Sequence, residues 1–400
     1  MDCKALFQAT MVTNHEFVQG GHPTARWILS ALLLAACSST EAAKPDTPDV
    51  PMPADSPGVS LNVSESACPD YDYSYPLCMA WSSDSRTLFA VLRRSTDTVL
   101  VGMDIPPAYP PPVAGGYRLI GPIGRAEILV TTQDPRTIFF VRNDPKEPEF
   151  SYVMRMSLAD GTTTKVASGS GSNISLSRDG SVLAYHKYST SIVDTIVLMD
   201  VASGMERART VSPSYASLRG ISPDGRDVAL AFNNSAVIWH SATNVREPVK
   251  DGGLASGTGT RHVVDVRWGS RGFSTLYKVD SGELTEVSDS TGAVINYAPH
   301  TGSSGTIAWS PAVSRVFTAE AIGGCYPHPD DCTSAYSHSE FVVISLSDVR
   351  TIGSVNSSFR GGQFPQFFPS PDGRWLAYYV PSWAAHYVYG GRLYLLPTGF

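Results

Sequence analysis

Two short segments hold the residue types most able to do chemistry. Cys68-Pro69-Asp70-Tyr71-Asp72-Tyr73-Ser74-Tyr75-Pro76-Leu77-Cys78 sets tyrosines and aspartates between two cysteines. Cys325-Tyr326-Pro327-His328-Pro329-Asp330-Asp331-Cys332 repeats the idea, with Tyr336 and His338 close behind. Aromatic and polar side chains on pinned loops are what recognition surfaces use, so Tyr71, Tyr73, Tyr75, Tyr326, His328, Asp330 and Asp331 are candidate partner-binding residues. His328, Asp330, Asp331 and His338 also carry donors suited to a divalent metal. The plainer reading is two decorated surface loops, and no metal or cofactor is expected.

The cysteines of these segments allow three pairings. Proximity favours Cys68–Cys78 and Cys325–Cys332, two local loops closed in an oxidising compartment. A four-cysteine zinc site fits poorly, because neither pair has the short spacing zinc prefers.

No catalytic motif accompanies the loops. The chain has no Gly-x-Ser-x-Gly elbow, no His-Glu-x-x-His, no phosphate-cradling glycine loop with lysine and no dinucleotide fingerprint. Gly169-Ser170-Gly171-Ser172 reads as a turn. No catalytic residue is expected. A site assembled from single residues on several elements leaves no local motif, so an enzyme of that type is the alternative.

The elements that must position these loops are written in a repeat. Ser370-Pro371-Asp372-Gly373-Arg374, Ser222-Pro223-Asp224-Gly225-Arg226 and Ser177-Arg178-Asp179-Gly180-Ser181 each precede an apolar run. Weaker copies start at Trp81, Thr132, Trp268 and Trp309. Their glycine slots fall at 85, 135, 180, 225, 272, 313 and 373, in steps of 50, 45, 45, 47, 41 and 60. Proline presets φ, aspartate accepts from nearby N–H groups, and glycine takes the left-handed conformation that closes a hairpin. Branched and aromatic runs after each turn read as buried strands. Third strands are expected at 98–103, 152–157, 195–200, 236–240, 284–288, 341–346 and 392–396, with a fourth in several units, as at 163–167. Three to four strands per repeat and almost no helical periodicity predict an all-β, seven-bladed β-propeller, with six or eight blades as alternatives. The seventh unit is one strand short, and the strand-like segment 59–63 is expected to complete it and close the ring. The aromatic cluster 383–389 is expected as packing or a loop between strands.

The form Ser-Pro-Asp-Gly-Arg-x-Leu-Ala-Tyr at 370–378 resembles the repeat of TolB-type, WD-repeat-like propellers, and the likeness covers 59–400. The resemblance implies a protein-interaction platform whose repeat residues are structural, with no catalytic set to carry over.

The start of the chain reads as an export signal. Trp27 to Ala36 is a short apolar core behind Arg26, too short to span a bilayer. Leu34-Ala35-Ala36-Cys37 resembles the bacterial lipobox, which implies lipidation at Cys37. Residues 38–57 are rich in Ser, Pro, Ala and Asp, as a disordered tether would be. The expected organisation is a signal at 1–36, a tether at 37–58 and a propeller at 59–400. Long and polar residues 1–25 leave open an internal start at Met11.

A formal charge of −7 argues against nucleic-acid binding. The expectation is a monomeric envelope lipoprotein, anchored through its lipid at the outer membrane, facing the periplasm or the cell surface. It would bind envelope proteins or cell-wall components; the alternatives are a propeller enzyme of the lactonase or quinone-dehydrogenase kind, with a metal at the channel mouth, and a glycan-binding module.

Overall fold

The strongest local signal, the Ser-x-Asp-Gly turn, folds as a lock built by its serine. In blade four the Ser222 hydroxyl donates to Asp224 Oδ1 at 2.6 Å and accepts from the backbone N–H of Asp227 at 2.9 Å. The N–H of Gly225 donates to the carbonyl of Ser222 at 2.9 Å, and Gly225 sits at φ 72°. The same serine–aspartate pair recurs at Ser82/Asp84, Ser177/Asp179 and Ser370/Asp372. A side chain that satisfies its own turn holds the hairpin in one register.

The computed structural model describes residues 59–61, 66–67, 79–94, 97–105, 117–124, 126–143, 151–168, 170–187, 195–211, 216–232, 235–250, 261–269, 272–279, 283–299, 304–310, 313–322, 337–357, 366–384 and 387–398. They form seven four-stranded antiparallel blades. Blade two is 126–131, 137–143, 151–157 and 163–168, and blade four is 217–221, 227–232, 235–240 and 245–248. The third strands lie where the spacing places them, within a residue or two at most ends. Second and third strands are buried on both faces between neighbouring blades, which is why they read as unbroken apolar runs. Fully buried Phe140, Phe317 and Leu88 each contribute about 1.5–3 kcal/mol on removal from water.

Ring closure follows the expectation. Val59–Leu61 pairs antiparallel with the third strand of blade seven, Val59 opposite Leu395 and Leu61 opposite Leu393. A second link joins the same two blades. Ser66–Ala67 pairs with Leu92 and Arg93 of blade one, while Ala67 faces Gly391 of blade seven. Blades seven and one therefore form one continuous hydrogen-bonded sheet.

The turns also stitch blade to blade. A Cβ on Gly225 would stand 2.5 Å from Val182 of blade three, and one on Gly373 would stand 2.8 Å from Val313 of blade six. The N–H of Asp372 donates to the Ser85 hydroxyl of blade one at 3.1 Å. The glycine is thus needed twice, for its left-handed backbone and for its missing side chain.

Three sequence expectations change. In blade six the left-handed residue is Ser314 (φ 49°) and not Val313, so the slot moves by one position. The cluster at 383–389 does not lie between strands as expected: among the described residues the second and third strands of blade seven run on as a paired ribbon, with Trp383 opposite Val388 and Ala384 opposite Tyr387. The envelope features are corrected as well. No disulfide is found among the described residues, and the expected signal at 1–36 and Cys37, Cys68, Cys78, Cys325 and Cys332 all lie outside them. The two expected disulfides and the lipoprotein assignment have no support in the structure and are dropped.

Acid should loosen the turns. Hydrogen bonds hold the carboxyls of Asp84, Asp179 and Asp224 below their ordinary value of 3.8, from Ser82 and Ser222 in the first and last, and from the N–H of Ser181 in Asp179. Asp200, paired first with Arg207, is lowered to about 2. A lowered carboxyl adds stability above its unfolded value and loses it as pH falls through the folded one. The melting temperature is therefore expected to drop between pH 4 and pH 2. Asp224→Asn should flatten that drop, and an unchanged profile in the variant would contradict the assignment. Burial raises Asp289, which acts in the opposite sense.

Candidate functional site

A propeller offers a ligand two places that its repeat does not fill: the loops on its faces and the wall of its central channel. The first strands of neighbouring blades contact one another around the axis, so these strands are the wall. Their sequences are mostly apolar or small. Among wall residues whose side chains are described, the ionisable ones are Arg219, His262, Asp265 and Arg267. All four lie on blades four and five, on strands 217–221 and 261–269.

Backbone irregularity places them. In blade four Leu218 pairs with Leu230 and Gly220 with Ala229, so Arg219 is an extra residue with no partner across the ladder. In blade five Val263 pairs with Tyr277 and Asp265 with Leu276, which makes Val264 the extra residue. A bulge bends its strand and re-aims the side chains beside it. The two bulges bring Arg219 and Asp265 together across the seam between blades, with Arg219 Nη1 3.9 Å from Asp265 Oδ1. Asp265 Oδ2 accepts from Arg267 Nε at 2.6 Å, and Oδ1 accepts from the N–H of Val266 at 2.9 Å. The carboxylate is the sheltered member, 13% exposed, against 41% for Arg219 and 47% for Arg267. Trp268, next along the strand, is 39% exposed with its ring edge-on to Phe273 at 4.7 Å.

A second polar cluster is buried between blades five and six. Tyr297 donates to Glu286 Oε2 at 3.0 Å and accepts from Trp309 Nε1 at 2.9 Å. All three residues are sealed from solvent, so the chain joins blades and offers nothing to a ligand.

The loop residues singled out from the sequence, Tyr71, Tyr73, Tyr75, Tyr326, His328, Asp330 and Asp331, lie outside the described residues. The strands that flank them are described. Residues 323–336 link the second strand of blade six to the third, at the end opposite its hairpin turn. Residues 68–78 leave the first strand of blade one between 66–67 and 79–81, alongside the half of its second strand that ends at Arg94. The described strand ends that flank both segments lie toward the face opposite the Ser-x-Asp-Gly turns. Among the described residues no group of three or more His, Cys, Asp or Glu gathers as metal ligands, and no helix is long and apolar enough to cross a membrane.

The sequence reading missed Arg219, Asp265 and Arg267. Charges on strands that otherwise read apolar were the available signal.

No protein-family model and no curated protein matches the sequence. Solved structures do match in shape. Oligogalacturonate lyase from Vibrio parahaemolyticus aligns with TM-score 0.58 at 9% identity, over 84% of this chain and 92% of that one. The β-propeller domain of the Trilobed protease from Pyrococcus furiosus aligns with TM-score 0.50 at 12% identity, over 82% of this chain and 97% of that one. TolB from Acinetobacter baumannii gives TM-score 0.43 at 13% identity, over 80% of this chain and 65% of that one. The chain is a seven-bladed β-propeller that shares its fold with several solved propellers.

Proposed function

We propose that this ring binds a small ligand at its channel wall on blades four and five, as a channel-type propeller enzyme or ligand receptor does. One observation carries the reading. The described ionisable side chains of the wall sit together on two adjacent blades, and two bulges aim them. Turn aspartates are consumed by their own turns and are poor candidates for a reaction. One of the aligned propellers is a lyase, which supports a catalytic use of this architecture; at 9% identity it supports no particular substrate.

A ligand that binds the folded ring stabilises it through linkage, by about 2.7 kcal/mol at a hundred times its Kd, and so raises the melting temperature. A panel of anionic, neutral and cationic small molecules should contain compounds that raise the melting temperature of the wild type. The same compounds should fail on the Arg219→Ala/Arg267→Ala variant. A panel with no such compound, or shifts that persist in the variant, would overturn the reading.

A protein-binding ring is the second reading. It is favoured by the paired ribbon that carries blade seven out to Ala384 and Tyr387. Capture of a specific protein that shortening the ribbon abolishes would support it, and capture that survives the shortening would count against it.

A further inference from the structure

We propose that Arg219 and Arg267, steered by Asp265, form a receptor for an anionic group with adjacent oxygens, a carboxylate or a phosphate, on a ligand in the channel. The proposal rests on the channel reading above and names the chemistry of that site.

The donor inventory comes first. A guanidinium offers five N–H donors in a planar fork and no acceptor. Arg267 spends its Nε on Asp265 Oδ2. Arg219 stands 3.9 Å from Asp265 Oδ1, close enough for charge attraction and too far for a hydrogen bond. Among the described residues Arg219 meets no hydrogen-bond acceptor, and the terminal nitrogens of Arg267 meet none. Two forks thus present unused donors from the channel wall. Asp265 takes only the Nε of Arg267 and lies beyond hydrogen-bond reach of Arg219, so it leaves most of both forks to a ligand.

Charge points the same way. Two guanidiniums and one carboxylate leave a local surplus of one positive charge, in a chain whose formal net charge is −7. Such a surplus on an acidic protein attracts an anion to that place and repels it from most of the remaining surface.

Preorganisation completes the case. Arg219 is the unpaired residue of a bulge, so its backbone is displaced from the ladder instead of sharing it. Asp265 is anchored by the N–H beside it, so it holds the Arg267 fork in place with little freedom of its own. A paired fork is the geometry that recognises carboxylate and phosphate oxygens bidentately. Asp265 is the positioning residue and a competing internal anion at once.

The test titrates full-length protein with sodium phosphate, sodium acetate and, as a charge-free control, acetamide at constant ionic strength. The readout is the Nε–Hε resonances of the arginines. Saturable shifts of Arg219 and Arg267 are expected with at least one of the two anions and with no acetamide. Whichever of phosphate and acetate saturates identifies the source. Arg219→Ala should weaken that binding at least 10-fold, and Arg219→Lys should fall between. Asp265→Asn should tighten it several-fold, because the internal competitor loses its charge; a purely structural ion cluster would show no anion binding for the change to act on. Uniform, non-saturating shifts across all arginines, or affinity unchanged in Arg219→Ala, would overturn the proposal. If anions fail while a neutral compound still loses its melting shift in the Arg219→Ala/Arg267→Ala variant, the channel reading stands and the anion receptor falls. If both fail, both fall.

Discussion

Gly225→Ala is expected to destabilise the ring by roughly 3–4 kcal/mol in a urea unfolding series. Two costs add. The residue sits at φ 72°, where an L side chain is strained by about 1–2 kcal/mol. Its Cβ would also stand 2.5 Å from Val182 of the preceding blade, and forcing atoms into a packed seam costs about 1–3 kcal/mol. Gly204→Ala separates the two. Gly204 has nearly the same φ, 67°, and nothing within 4 Å of the added carbon, so only the backbone cost of about 1–2 kcal/mol remains. Equal losses at the two positions would contradict the claim that the repeat turn is also a contact between blades.

Tyr297→Phe should cost roughly 3 kcal/mol although it removes a single oxygen. That oxygen donates to the buried Glu286 and accepts from the buried Trp309 indole. Its loss leaves the buried carboxyl short of a donor, at a cost of about 1–3 kcal/mol. It also strands the indole N–H, at a further cost on the order of 1 kcal/mol. The same unfolding series measures it, and a loss below about 1 kcal/mol would show that the buried chain does not tie blade five to blade six.

These two sites differ in how much the sequence reveals. Ser222, Asp224 and Gly225 act within a few residues of one another, so turn chemistry is written locally and repeats visibly. The closing strand was legible for a similar reason: a unit one strand short and an orphan apolar segment at 59–63 can only be reconciled by pairing. Arg219 and Asp265 are different. Each looks like an isolated charge in a strand, and they meet because two strands each carry one extra residue. A bulge is a property of the pairing across the ladder, and neither strand's residues declare it. Glu286, Tyr297 and Trp309 likewise come from three separate elements. The slot error in blade six has the same origin. Ser85 takes the left-handed conformation in the slot of blade one, whereas β-branched Val313 resists it and the left-handed residue falls one position later, at Ser314. The cysteine-bounded loops drew attention because their residue types are conspicuous, whereas the channel cluster is conspicuous only by position.

The channel wall and the repeat turns make opposite predictions for binding. The most direct measurement is the Kd of the compound that best stabilises the wild type, taken against Arg219→Ala/Arg267→Ala and against Asp224→Asn. The account predicts at least a 10-fold loss for the wall variant and an unchanged Kd for the turn variant. An unchanged Kd in the wall variant, or equal losses in both, would contradict it.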